Sequence, residues 1–373
     1  MEIIYLTSHL YEEDFDKAPK GAKLPNPAGQ NFHGKLLKAF AKVEPTHAFC
    51  VLPNVYHHLG TKSFTSKDGV EYHYLVPPTN RYIRALFYPK MAAKKIAPLF
   101  QGRKCVVVFD SLSATLGTIA KTLSEKLSCP KIAILTDDIN NITGVDASFA
   151  ARIHKLVDDS DGAFSLTKGL LDCYQLSEKP HLIQPMLVEK EDVQPIKRNK
   201  PYIYYGGALF EKDGTKDLID SFHSLKPNYD LVISGHGHFE PQVIEAAQAN
   251  PRIHYLGQVS KKEHYAYIAG AALCINPRHY RKQLDDCAVP SKVMEYLCFG
   301  QCIASTTSTP IKESFGDNIN WIEGPLESFF MAHLDEEKNL KDLIENKAST
   351  MIFEEFGISK TGWNIHQLLK KFN

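Results

Sequence analysis

Several common signals are missing from this 373-residue sequence, and each absence removes a class of answer. Net charge is missing: Lys plus Arg and Asp plus Glu number 43 each, so no global field draws the chain to nucleic acid. Long apolar runs are missing too, none approaching the roughly 20 residues of a membrane span. The opening MEIIYLTSHLYEEDF has neither a basic n-region nor an apolar h-region, so no signal peptide is expected. The eight cysteines are scattered, with no C-x-x-C, and Cys50, Cys105 and Cys274 sit in apolar runs. That excludes a disulfide scaffold and fits a reducing cytoplasm. No G-x-G-x-x-G occurs, so the dinucleotide fingerprint is absent. What is present is the composition of a soluble globular protein, 43% apolar and 23% charged, long enough for two ordinary domains.

Apolar strand-like runs alternate with helical patterns along the chain. EIIYLTS reads as a buried first strand, and PNPAGQNFHGKLLKAFAKV as a loop holding Gly29 and Gln30, then a helix from about Asn31. HAFCVLPNVY, KCVVVFD and PKIAILTDD continue the strands, the last two ending at Asp110 and at Asp137 with Asp138. In open parallel sheets ligands bind beyond the carboxyl ends of strands, which makes these acids candidates for a substrate cleft. For Asp110 the preferred reading is a loop carboxylate. GAFSLTKGLLDCY adds a strand and helix, HLIQPMLVE reads as the last strand of this half, and the charged, non-periodic EKEDVQPIKRNK reads as a linker. The expected organisation is a first Rossmann-like domain over 1–188, a linker over 189–200, a second over 201–355, and a terminal helix over 356–373.

The second half opens on a strand with a glycine pair, Gly206 and Gly207, followed by Lys212. Glycines there let backbone N–H groups approach an anion. A second turn follows at Gly235 and Gly237, where His236 and His238 read as loop histidines because no third metal ligand is near. The densest stretch is CINPRHYRKQLDDCAVPSKVMEYLCFG. It reads as a strand, a loop carrying Arg278, Arg281 and Lys282, and a helix opening near Pro290 and Ser291 and stopping at Gly300. Val293, Tyr296, Leu297 and Gly300 follow the spacing of a packed face, while Lys292 and Glu295 lie three apart on another. With Ser291 as N-cap the capping-box position is Met294, which leaves Glu295 free to bind something else. Two readings of Lys292 and Glu295 stand: a solvated ion pair of roughly 0.2–0.5 kcal/mol, or an anion and hydroxyl site at a helix N-terminus.

The run NPR, eleven residues, then PSKVMEYLCFG resembles the donor-site signature of retaining GT-B glycosyltransferases of the bacterial polysaccharide type, the group 1 glycosyltransferases. The resemblance implies an α/β fold of two doubly wound Rossmann-like domains facing across a cleft. It implies transfer, with retention, of a sugar from a nucleotide diphosphate sugar, UDP-sugar favoured, to a saccharide or lipid-linked saccharide. In that family Glu295 would bind ribose hydroxyls, Ser291, Lys292, Lys212, Arg278, Gly206 and Gly207 would face the diphosphate, and Gly235 would belong to the same donor site. Gly29, Gln30, Asp137 and Asp138 would stand on the acceptor side. No metal and no cofactor beyond the nucleotide sugar is expected, since no D-x-D pair stands where a metal-dependent fold would need it. This chain departs from relatives in having Cys287 where many carry a glutamate, Ala208 for an arginine, and Asp213 before Gly214. Two alternatives keep their place: a nucleotide-sugar epimerase using Asp137 and Asp138, and a non-catalytic sugar-nucleotide-binding subunit.

One further absence is local. From Pro77 to Lys104 there is no acidic residue, yet seven Lys and Arg stand among aromatic and aliphatic residues. That composition reads either as a surface for anionic lipid head groups, with Phe87, Tyr88 and Phe100 in the interface, or as a surface helix whose lysines snorkel over an apolar face. Nucleic acid is the weaker third reading. The lipid reading would place a cytoplasmic protein peripherally on the inner leaflet.

Overall fold

The structure is a computed structural model that describes residues 1–15, 17–19, 25, 27–142, 144–224, 228–279, 281, 287–334 and 343–372. Lys282, Asp285 and Asp286 lie outside the described residues. The chain forms two compact units, the first from 1–189 and 355–373, the second from 190–354.

Eight strands build the first unit: β1 (Glu2–Thr7), β2 (Thr46–Val51), β3 (Ser63–Thr65), β4 (Glu71–Leu75), β5 (Cys105–Asp110), β6 (Lys131–Leu135), β7 (Gly162–Ser165) and β8 (His181–Ile183). Their order is β3-β4-β2-β1-β5-β6-β7-β8, parallel throughout except the edge pair β3 and β4. The central strands are buried on both faces, which is why β1, β5 and β6 read as nearly unbroken apolar runs. The order reverses between β1 and β5, so the crevice of this doubly wound sheet lies beyond their carboxyl ends.

After β1 and a single helical turn at Glu12–Phe15, the long helix runs Pro27–Ala41, four residues earlier than its pattern predicts. Proline at the start accounts for the difference, because its fixed φ suits a first helical turn. Gly29 and Gln30 are therefore helical rather than part of a loop, and a side chain at Gly29 would have nothing within 4 Å. The terminal helix, Ile358–Lys370, packs on this one. Ile365, Leu368 and Leu369 share a core with Leu36, Leu37 and Phe40, and Gln184 Nε2 donates to Thr361 Oγ1 at 3.1 Å.

The acid-free stretch forms two helices, Arg81–Leu86 and Tyr88–Ile96. Tyr88, Pro89, Ala92, Ala93 and Ile96 make the inward face of the second. Tyr88 and Phe100 are thus core residues, not surface aromatics, because the helical period turns them inward. Of the three aromatics assigned to an interface from sequence, Phe87 alone is exposed.

The second unit has six parallel strands, β9 (Tyr202–Gly206), β10 (Asp230–Ser234), β11 (Ile253–Tyr255), β12 (Leu273–Asn276), β13 (Ile303–Ser305) and β14 (Asn320–Trp321), in the order β11-β10-β9-β12-β13-β14. Its switch point falls between β9 and β12. The 189–200 segment is not a free linker: Ile196 N donates to Ala266 O at 3.0 Å, and the Tyr202 hydroxyl to Ile196 O at 2.9 Å. Those bonds hold it along the second unit.

Two glycines test the helix pair of the first unit. A Cβ at Gly362 would stand 2.8 Å from Ala39 O. Gly362→Leu should therefore lower the stability of this unit by about 1–3 kcal/mol. Gly29→Ala, helical and unobstructed, should raise it by about 0.4–1 kcal/mol. Urea unfolding followed on both variants checks the pair, and a destabilised Gly29→Ala would contradict the early helix start.

Candidate functional site

Beyond the carboxyl ends of β9 and β10, two glycine turns lie against each other. Gly207 N donates to Ser234 O at 3.0 Å, Leu209 N to His236 O at 3.1 Å, and Gly235 N to Gly257 O at 2.8 Å. A Cβ at Gly235 would fall 1.8 Å from Gly207 O, and both glycines hold positive φ, 150° and 130°. No larger residue fits this approach.

The Ser291–Phe299 helix is fastened onto the first turn. Tyr296 hydroxyl accepts from Gly206 N at 3.0 Å, while Val293, Tyr296 and Leu297 are fully buried beneath it. Lys292 reaches across Gly207, its Cε 3.1 Å from where a Cβ would be. Its ammonium donates to Tyr205 hydroxyl at 2.9 Å and stands 4.3 Å above that ring. Tyr205 in turn donates to Ala208 O at 2.7 Å, so one chain of bonds runs from helix to turn.

Ser291 is not the N-cap; Pro290 is, in extended conformation and with no capping side chain. Proline cannot offer one, so the first-turn donors are left to other partners. Val293 N and Met294 N bond to Pro290 O at 3.0 and 3.3 Å. The N–H groups of Ser291 and Lys292 have no partner among the described residues. With the helix dipole behind them, they have the chemistry to receive an anion.

Glu295 takes no part in the cap, as the sequence reading held, and two side chains of a neighbouring helix bond to it. His264, on the Lys261–Gly270 helix, places Nε2 3.1 Å from Glu295 Oε2, and Tyr265 hydroxyl lies 3.5 Å from Oε1. On its other side His264 Nδ1 meets Tyr204 hydroxyl at 2.8 Å, and Tyr204 meets Ser234 Oγ at 2.5 Å. The Glu295 carboxylate can only accept, so Nε2–H of His264 donates to it, while the Tyr204 hydroxyl bridges Nδ1 and Ser234 Oγ. Glu295 remains 32% exposed, with lone pairs to spare for a ligand hydroxyl. Lys292 and Glu295 do not pair with each other among the described residues. His264 escaped sequence reasoning because it stands 31 residues upstream in a different helix, and no spacing marks it.

Lys212 and Arg278 are brought together by their backbones. Gly214, at φ +76°, packs so closely on the N-P-R loop that a Cβ would lie 2.0 Å from Pro277 O, and His279 N donates to Lys212 O at 3.3 Å. Arg278 O accepts from Thr306 Oγ1 at 2.6 Å, and the Lys212 ammonium stands 5.5 Å over the Phe210 ring. Cys287 is buried. His236 and His238 are exposed loop side chains. Among the described residues the one cluster with metal-ligand proximity is His47, Glu71 and His73 in the first unit, at the opposite, amino-terminal ends of β2 and β4.

The acceptor-side candidates of the first unit serve local structure. The Gln30 amide clamps Leu10 at both backbone groups, accepting from its N at 3.2 Å and donating to its O. Asp138 caps a short turn over Ile139–Asn141, accepting from Asn140 N at 3.0 Å, and its own N donates to Asp137 Oδ1 at 2.9 Å. The crevice between β1 and β5 instead gathers Tyr5 and His33, which the sequence did not single out, around Asp110, which it did. Tyr5 hydroxyl meets His33 Nδ1 at 2.7 Å, and His33 Nε2 lies 3.6 Å from Asp110. Burial, the largest single influence, raises the Asp110 carboxyl, but the bond and charge of His33 and the Leu112 N–H together lower it, for a net depression. Asp110 also accepts from Leu112 N at 3.0 Å, the loop role expected of it. Burial, then the neighbouring His33, push His9 down to about 3, so it stands neutral in the crevice at neutral pH.

Residues 188–325 match the family described as glycosyl transferases group 1. No curated protein sequence matches the chain. Among solved structures, the lipopolysaccharide outer core galactosyltransferase WaaB in its apo form superposes with a TM-score of 0.65 at 12% identity, covering 100% of this chain and 99% of that one. HepE of Anabaena in complex with UDP-glucose gives 0.66 at 10% identity, covering 100% of both chains. A trehalose-6-phosphate synthase, studied for glycosyl transfer with retention, gives 0.67 at 10% identity and 99% of both. Residues 188–325 thus carry the likeness to the group 1 glycosyl transferases, in a chain of two parallel-sheet units with the GT-B fold.

Proposed function

We propose that the protein transfers a sugar from a UDP-sugar to a saccharide or lipid-linked saccharide acceptor, with retention and without a metal ion. One observation carries this reading. The unpartnered N–H groups of Ser291 and Lys292, the Lys292 ammonium over the Gly207 turn, and the oriented Glu295 carboxylate all stand on one helix start. A nucleoside diphosphate presents matching groups in the same succession, phosphates for the donors and ribose hydroxyls for the carboxylate. HepE, of like fold, is solved with UDP-glucose, which favours uracil as the base.

Charge accumulates on the diphosphate as the sugar bond breaks. Fixed donors stabilise it most where charge is greatest, so the helix start and Lys292 speed the departure rather than merely hold the donor. Lys212 and Arg278, on adjoining loops, are the next cations this reading draws on. No side chain is assigned as a nucleophile; retention here means that acceptor and leaving diphosphate share one face of the sugar. The trehalose-6-phosphate synthase of like fold is a precedent for such chemistry. An epimerase would need two free acids, and the capping role of Asp138 disfavours the pair Asp137 and Asp138. Incubation with UDP-sugars and lipid-linked glycans tests the whole reading: transfer to glycan supports it, and an altered sugar or binding alone overturns it.

Glu295→Ala should weaken UDP about ten- to a hundredfold in titration calorimetry, the worth of a charged hydrogen bond of about 1.5–3 kcal/mol, with the fold intact. His264→Ala should weaken it less, and should add nothing once Glu295 is alanine, since it acts through that carboxylate.

Lys292→Ala should cost UDP more affinity than uridine, because its partner is phosphate. Equal losses for both ligands would take Lys292 out of the diphosphate site.

A further inference from the structure

The Arg81–Leu86 helix has no buried residue, although Asn80 caps it by accepting from Tyr82 N and Ile83 N. Six residues of helix with no buried side chain gain little from propensity alone. Twelve large apolar side chains are exposed among the described residues, and six of them fall within 82–99: Tyr82, Ile83, Leu86, Phe87, Met91 and Leu99. Such concentration marks a surface that something covers. The neighbouring Tyr88–Ile96 helix turns Lys90, Met91, Lys94 and Lys95 outward. These three lysines have no ion pair or hydrogen bond among the described residues. Arg81 lies against the Tyr82 ring at 4.8 Å, and Arg84 bonds Asn54, so neither is neutralised by an acid. Arg103, held by Glu2 at 3.1 Å, is.

We propose that this face docks on an anionic lipid bilayer, with Tyr82, Leu86, Phe87 and Met91 entering the head-group boundary and Lys90, Lys94 and Lys95 above it among the lipid phosphates. Charge complementarity selects the occupant: the segment has cations and no acid in 28 residues of a chain with zero net charge. Apolar and basic side chains interleaved on two short helices suit a plane that is apolar below and anionic above, with lysine stems lying along the boundary. Docking does not rest on the transferase reading, and neither fails with the other.

Co-sedimentation with phosphatidylcholine vesicles, with and without phosphatidylglycerol, tests the proposal on the full chain. Binding should require phosphatidylglycerol and fall as salt shortens the Debye length below its physiological value of about 8 Å. Reversing Lys90, Lys94 and Lys95 to glutamate should reduce partitioning by roughly a hundredfold or more, at roughly fivefold for each basic side chain near an anionic surface. Leu86→Ser with Phe87→Ser should also weaken binding while its salt dependence persists. In Phe87→Trp, brominated lipid should quench fluorescence beyond that of the parent chain. All these side chains are exposed, so circular dichroism and UDP affinity should not change. Equal binding to neutral vesicles, indifference to the charge reversals, or no vesicle binding at low salt would each overturn the proposal; the last would leave the face to an acidic protein partner.

Discussion

The second unit depends on two backbone turns approaching to a distance that side chains would forbid. Gly207 O occupies the space a Cβ on Gly235 would need, and His264 occupies that of Gly206. Because the turns are this close, the Ser291–Phe299 helix can seat Tyr296 on Gly206 N and pass Lys292 over Gly207. The same seating puts Glu295 within reach of His264, whose orientation is fixed by Tyr204 and Ser234. A shift of one turn would therefore disturb the cation and the carboxylate together.

Two sorts of polar group result. Some are consumed by the fold, as Gln30 is by Leu10 and Asp138 by its turn. Others are held in place yet keep bonding capacity, as Glu295 does behind His264. The helix start belongs with the second sort, since Pro290 supplies no cap and leaves Ser291 and Lys292 N–H groups for a ligand. An uncapped, dipole-backed start beside glycine turns is a feature whose physical sense lies in an anion.

Much of this was legible in the chain. Parallel strands buried on both faces write themselves as apolar runs, so the alternation of β1, β5 and β6 with helices could be read directly. The packed face of Val293, Tyr296, Leu297 and Gly300 followed from the helical period, and so did the separate side holding Lys292 and Glu295. Three kinds of feature were not legible. The cap at Pro290 is decided by one residue's ψ, which a serine next door obscures. The partners of Glu295 and Asp138 depend on tertiary neighbours or on a turn, and neither leaves a periodic trace. In the acid-free stretch composition revealed the patch, but which aromatics face out is a matter of helical phase, and Tyr88 and Phe100 fell on the inner side.

The account stands most directly on where a nucleotide sits. A crystal structure of the protein with UDP would show it. The diphosphate should lie at hydrogen-bond distance, about 2.7–3.2 Å, from the N–H groups of Ser291 and Lys292, with the ribose hydroxyls on Glu295 and His264 still behind that carboxylate. UDP bound elsewhere in the second unit, or seated with Glu295 turned away from the ribose, would contradict it.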